Sequence, residues 1–244
     1  MPRQLPRIKN STYRLAHECS LQLWHGIDYS TGANQTSDAA LLQNWAGHFQ
    51  RALRKNISTR FKLIDLKKLI HTAKLSHYLG INEKIKTQLN VCLSTGIKPL
   101  YGQKNIGSND YSENLGTGLA KRLGVGTKIV VASRILFYTI PDRCTFNLNE
   151  KVAAKLQMNS HPVRFVTPLV VEIHNKLNTD WKKLEKFKMP YKSAEISSEV
   201  WQLACDAGWW QRRVLDIAIL LELGIANATY TINCINNTQK PTKC

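Results

Sequence analysis

Lys128 follows Leu-Gly-Val-Gly-Thr directly and precedes Ile129 to Thr139, an apolar run whose one charge is Arg134. Two phosphate-binding motifs fail on spacing. A Walker loop needs G-x-x-x-x-G-K-[ST], which Gly118, Gly124 and Gly126 do not supply, and a dinucleotide fingerprint needs a third glycine where Ile129 stands. What remains is a tight glycine turn opening a helix. Glycine permits positive φ and lets a phosphate approach the main chain, and the unsatisfied N–H groups at a helix start attract an anion. A lysine in that first turn is disfavoured by the helix dipole by about 0.3–1 kcal/mol, too little to neutralise an ammonium. Burial against the neighbouring apolar run must supply the rest. A neutral amine so placed is a nucleophile, whereas a solvent-exposed lysine is the ordinary fate of a helix lysine.

A second stretch, Ala-Gly-Trp-Trp-Gln-Arg-Arg-Val-Leu from Ala207 to Leu215, offers Gln211, whose amide carries a donor and an acceptor together. With G-V-G-T-K at Gly124 to Lys128, this A-G-W-x-Q resembles the helix–hairpin–helix DNA glycosylase superfamily, in its 8-oxoguanine DNA glycosylase branch. The resemblance covers about fifty residues and implies an all-α, two-lobed fold acting as a monomer on double-stranded DNA, without metal or cofactor. It implies that Lys128 attacks the sugar C1′, expels the base and forms a Schiff base that goes on to cleave the strand. Leu123, Gly124, Val125, Gly126 and Thr127, with Asn149, would hold the DNA backbone, and Gln211 would read the edge of the flipped base. Ala132, Leu215 and Trp210 would border that base, while Trp209 reads as core.

The chain departs from the family at three places. The family's aspartate, nineteen residues beyond the lysine, falls on Asn147, or on Asn149 if the loop slips by two. Either asparagine can cap a helix starting near Glu150, but neither can carry a negative charge or take a proton. Asp142 lies in the same loop as a substitute. Ala132 stands where the branch has a cysteine, and Leu215 where it has a stacking aromatic. Smaller groups on both faces point to a pocket for a bulkier base, such as a modified base of phage DNA, while repair and defence against foreign DNA stand as alternative roles that the sequence does not separate.

The 34 Lys and Arg against 17 Asp and Glu leave a formal charge of +17, spread along the chain, which favours a polyanionic partner. Arg51, Arg54, Lys55 and Arg60 form a basic run, read equally as a phosphate track or a solvated face. Arg212 and Arg213 follow Gln211 and are expected near the extruded nucleotide. The six cysteines lack C-x-x-C or zinc spacing, and the iron–sulfur spacing of a related glycosylase branch is absent. The start of the chain has no apolar signal region, and no run reaches the ~18 apolar residues of a membrane span. The expectation is a cytoplasmic protein with reduced thiols and no membrane partner.

Among the elements that must hold these residues, helical spacing dominates. Residues 1 to about 35 read as irregular. Ser37 or Asp38 then caps a helix through Leu41, Leu42, Trp45, Phe49 and Leu53, and further helices are expected in 61–79 and 82–95. The Gly-, Asn- and Ser-rich stretch 98–114 is the expected crossing between lobes. Helices follow in 113–122, after the glycine turn, and in 149–158. Pro162 reads as a break, with a helix from Thr167 and Pro168 in its first turn. Ser193 to Asp206 and Trp209 to Leu223 complete the helices, and the last twenty residues read as weakly patterned. The expected organisation is an N-terminal helical lobe (1–100), a helix–hairpin–helix lobe (101–192), and C-terminal helices and tail completing the base pocket (193–244).

Overall fold

A computed structural model describes residues 4–47, 87, 129–142, 145–158, 162–191 and 193–238, with the side chains of 129–132 and 162–167 outside the description. The described residues are mostly helical, and none of them lies in a β-strand. No described helix is long and apolar enough to cross a membrane. The helices expected in 61–79, 82–95 and 113–122, the crossing at 98–114 and the basic run at Arg51 to Arg60 lie outside the described residues.

Helix α1 spans Asn10–Trp24, correcting the expectation of an irregular start. Its buried stripe is Tyr13, Ala16, Ser20 and Leu23, with Cys19 and Trp24 alongside. The spacing is helical, but small residues carry half of it, so hydropathy alone does not show it. Ser37 caps α2, Asp38–Leu42, by accepting from the Ala40 amide at 3.0 Å. Instead of running on as an α-helix, the chain widens into a π-helical turn at Gln43–Gly47, which buries Trp45 and Ala46.

Helix α3, Ile129–Thr139, follows Lys128 directly, and Ile135, Leu136, Phe137 and Tyr138 on it are buried. Asn149 caps α4, Glu150–Lys155, accepting from the Lys151 amide at 2.8 Å. Helix α5 spans Pro162–Leu184, so Pro162 starts a helix where the sequence suggested a break, and Pro168 lies inside it. Proline lacks only an N–H that a helix start leaves unused, which makes it a starter as readily as a breaker. Helix α6, Ser198–Asp206, begins five residues later than expected because Ser197, accepting from the Val200 amide at 3.4 Å, is the cap.

Gly208, at φ 65, turns the chain from α6 into α7, Trp209–Glu222. Its positive φ suits glycine, and a Cβ there would meet the Trp181 ring at 2.9 Å. Helix α7 is the central element: Trp209, Trp210, Val214, Leu215, Ala218 and Ile219 are buried, and α1 lies along it. Helix α8, Thr229–Thr238, occupies the tail that read as unpatterned. It docks through Thr231, whose amide donates to the Tyr29 carbonyl at 3.2 Å, and through Tyr230, whose ring fills the space beside Gly32.

A buried polar contact links elements far apart in sequence. Arg213 on α7 donates from Nε to Asp38 Oδ2 at 2.7 Å and from Nη2 to Oδ1 at 3.3 Å. Tyr138 on α3 donates its hydroxyl to the same carboxylate at 2.7 Å. One buried aspartate thus joins α2, α3 and α7.

Candidate functional site

The segment 145–149 runs back along α3, because the Ser133 hydroxyl, little more than a turn beyond Lys128, accepts from the Leu148 amide at 3.0 Å. This places Asn147 and Asn149 beside α3, where they meet α7. Asn147, half-buried, donates from Nδ2 to Asp216 Oδ2 at 3.3 Å. Asp216 also accepts from Arg213 Nη1 at 3.0 Å, and its side chain is 12% exposed. Asn147, Asn149, Arg212 and Asp216 are the polar lining of a narrow cleft walled by Phe146, Val152, Ile173 and Ile219.

Loss of solvent pushes the Asp216 carboxyl above the ordinary carboxylate range. Arg213, the Asn147 amide and Arg134 pull it down without overcoming that. A carboxyl held in this direction is suited to exchanging protons rather than to a permanent ion pair. Sequence reasoning missed Asp216. A signal was present: it is the one acid in the run Val214 to Leu221, on a helix otherwise apolar there.

Gln211 lies on another face of α7. It donates from Nε2 to the Phe187 carbonyl at 3.0 Å, which occupies one of its two amide N–H donors and leaves the other and the carbonyl oxygen. The Phe187 ring stacks on His17, with centroids 4.9 Å apart, and borders a pocket lined also by Asn10, Tyr13, Arg14, Lys183 and Lys186. Gln211 is therefore tied to a basic rim, while Asn147 and Asp216 face the cleft on the other side of the helix.

Trp209 is core, as expected: it is fully buried, donates from Nε1 to the Phe137 carbonyl at 3.0 Å and packs on Phe137 at 5.0 Å. Trp210 is also fully buried, edge-on to Trp24 at 5.9 Å, and Leu215 is fully buried. Asp142 is half-buried in the turn after α3, and Ala132 lies in the first turn of α3. Lys128, Leu123, Gly124, Val125, Gly126 and Thr127 lie outside the described residues.

Arg212 and Arg213 correct the expectation of cations beside a nucleotide. Both are buried: Arg212 donates from Nη2 to the Pro141 carbonyl at 2.7 Å, and Arg213 is bound by Asp38 and Asp216. Guanidinium groups are the cations best suited to such internal bridging, because their planar fork matches carboxylates and carbonyls. Cys19, Cys205 and Cys234 are free thiols, and burial raises Cys19 and Cys205 to about 11, away from reactivity.

The chain matches no protein-family model, no curated protein and no solved structure.

Proposed function

We propose that this protein is a DNA glycosylase of the two-lobed helix–hairpin–helix type, with AP-lyase activity, acting on double-stranded DNA. Lys128 attacks C1′, the turn Leu123 to Thr127 with Asn149 grips the backbone, and Gln211 reads the base edge. The substrate is an 8-oxoguanine-like base or a bulkier modified base such as phage DNA carries.

One observation carries the reading. The helix that opens directly after G-V-G-T-K packs, through Phe137 and Trp209, against the helix that carries Gln211. The element that follows the first motif in sequence thus touches the element that carries the second, although about eighty residues separate the motifs. The formal charge of +17 and the Arg14, Lys183 and Lys186 rim beside Gln211's partner fit a phosphate backbone.

Asn147, in place of a carboxylate, favours a second reading: a non-catalytic helix–hairpin–helix protein that binds DNA without cutting it. Borohydride trapping separates the two. Duplexes bearing 8-oxoguanine, an abasic site or modified pyrimidines are incubated with the protein and with Lys128→Gln, then reduced. A covalent protein–DNA band that Lys128→Gln abolishes is the expected result, and the duplex that gives it names the base. Salt-sensitive binding with no band and no released base supports the second reading.

A further inference from the structure

Holding a base outside its stack takes polar groups that match its edge and a flat wall that carries its ring. The sequence assigns that wall to Trp210 and Leu215, but both are fully buried and closed to a ligand. Of the six tryptophans, Trp24, Trp45 and Trp209 are enclosed as well, and Trp201 is half-buried with Nε1 donating to the Pro190 carbonyl at 3.2 Å. Trp181 is the exposed one, at 39%. We propose that Trp181 and Gln211 form a nucleobase subsite, in which an unpaired base stacks on the indole and sets its hydrogen-bonding edge against the amide. This rests on Gln211 as the base reader and adds to it the wall that the buried residues fail to provide.

The two side chains meet at Gly208. Trp181 lies on α5, and Gly208 opens α7 three residues before Gln211. The place that a Gly208 Cβ would take is 2.9 Å from Trp181 Cη2 and 3.4 Å from Gln211 Oε1. The outer edge of the indole and the amide oxygen therefore flank one point that glycine leaves open. Gln211 is held in place, because Nε2 donates to the Phe187 carbonyl at 3.0 Å. That bond fixes which end of the amide is oxygen, and no described residue donates to Oε1.

The chemistry of the two groups names the ligand. An aromatic surface left in water is unfavourable, and a base laid on it takes both faces out of water. Stacking accepts any base, since every base has a flat face. The amide is selective: Oε1 accepts and the second Nε2 hydrogen donates, so it suits an edge with a donor beside an acceptor, as in thymine N3–H and O4. The stretch 181–188 carries Lys182, Lys183, Lys186 and Lys188 against the one acid Glu185, a cationic approach for the attached phosphates.

The test compares two strands of about twelve units and equal phosphate charge, one of thymidines and one of abasic tetrahydrofuran units, by fluorescence anisotropy at one salt concentration. Wild type should bind the thymidine strand about 10-fold more tightly than the abasic one, with quenching of tryptophan emission. Trp181→Ala should weaken binding of the thymidine strand about 10-fold and leave the abasic strand unchanged. Trp181→Phe should recover most of that affinity while losing the quench, because a ring is restored without the indole. Gln211→Met should cost about five-fold, again on the thymidine strand alone. Equal binding of the two strands by wild type, or a Trp181→Ala loss shared by both strands, overturns the subsite, and so does Gln211→Met at wild-type affinity. If Trp181→Ala does not fold, Trp181→Phe decides: a quench that persists overturns the stacking. Neither strand calls on Lys128, so a protein that passes here and gives no borohydride adduct keeps the subsite and loses the glycosylase reading, while one that gives the adduct and fails here loses the subsite alone.

Discussion

Asp180 on α5 and Asp216 on α7 are both enclosed, with side chains 4% and 12% exposed, yet their carboxyls are displaced in opposite directions. Burial pushes both up. At Asp180 three donors overcome it: Lys183 at 2.7 Å, the Tyr13 hydroxyl at 2.7 Å and Lys176 at 3.1 Å, and the group ends below its ordinary range. At Asp216 the strongest partner is shared with Asp38, the other donor is a neutral amide, and burial prevails. Of the two lysines at Asp180, Lys183 keeps its side chain 40% exposed on a long stem, so its own pairing costs little desolvation. An acid surrounded by dedicated cations acts as a fastener between α1 and α5. An acid that shares its cation is left able to titrate, and it is this one that borders the cleft.

The largest effect is expected from breaking the sharing. Asp38→Asn removes the charge that Arg213 and Tyr138 both use, and denaturant unfolding should show a loss of about 3 kcal/mol. This is the low end for a broken buried pair, because Asp216 remains as a second carboxylate. Arg213 then belongs to Asp216 alone, so the Asp216 carboxyl should fall toward the behaviour of Asp180, read by NMR titration of its carboxyl carbon. An Asp216 that does not move breaks the explanation given for the difference.

The helical framework was legible where large apolar residues mark the spacing, as in α7, and where a capping side chain announces a start, as at Ser37 and Asn149. It was illegible in α1, whose stripe runs through Ala16, Cys19 and Ser20, and in α8, which is held by Thr231 and Tyr230 against a loop two hundred residues away in sequence. The site divides in the same way. Asn147 is found by counting from a lysine, but its partner Asp216 is brought to it by packing, at a sequence separation no local pattern records. Arg212 and Arg213 misled for the related reason that a cation's burial depends on acceptors supplied from elsewhere, Pro141 and Asp38.

A smaller loss, about 1–2 kcal/mol by the same unfolding measurement, is expected for Asp180→Asn. Lys183, with its side chain 40% exposed, turns to water, and the Tyr13 hydroxyl still finds the amide oxygen. A loss equal to that of Asp38→Asn would show that Lys183 has no such escape to water, and would erase the contrast in desolvation.

The least effect in size, and the sharpest in sign, is the pH dependence. Asp180 is displaced downward on folding, so its contribution to stability is full above the unfolded carboxyl value of about 3.9 and is lost as pH falls through the folded value. Asp216 is displaced upward, so its contribution is full below that value and is lost as pH rises through the folded one. Urea unfolding of wild type, Asp180→Asn and Asp216→Asn from pH 3 to 8 isolates each. The advantage of wild type over Asp180→Asn should grow with pH, whereas its advantage over Asp216→Asn should shrink, each by the slope of a fraction of one proton. Two slopes of the same sign would mean that Arg213 serves both of its aspartates fully, and the carboxyl at the cleft would then be a fixed charge with no proton to exchange.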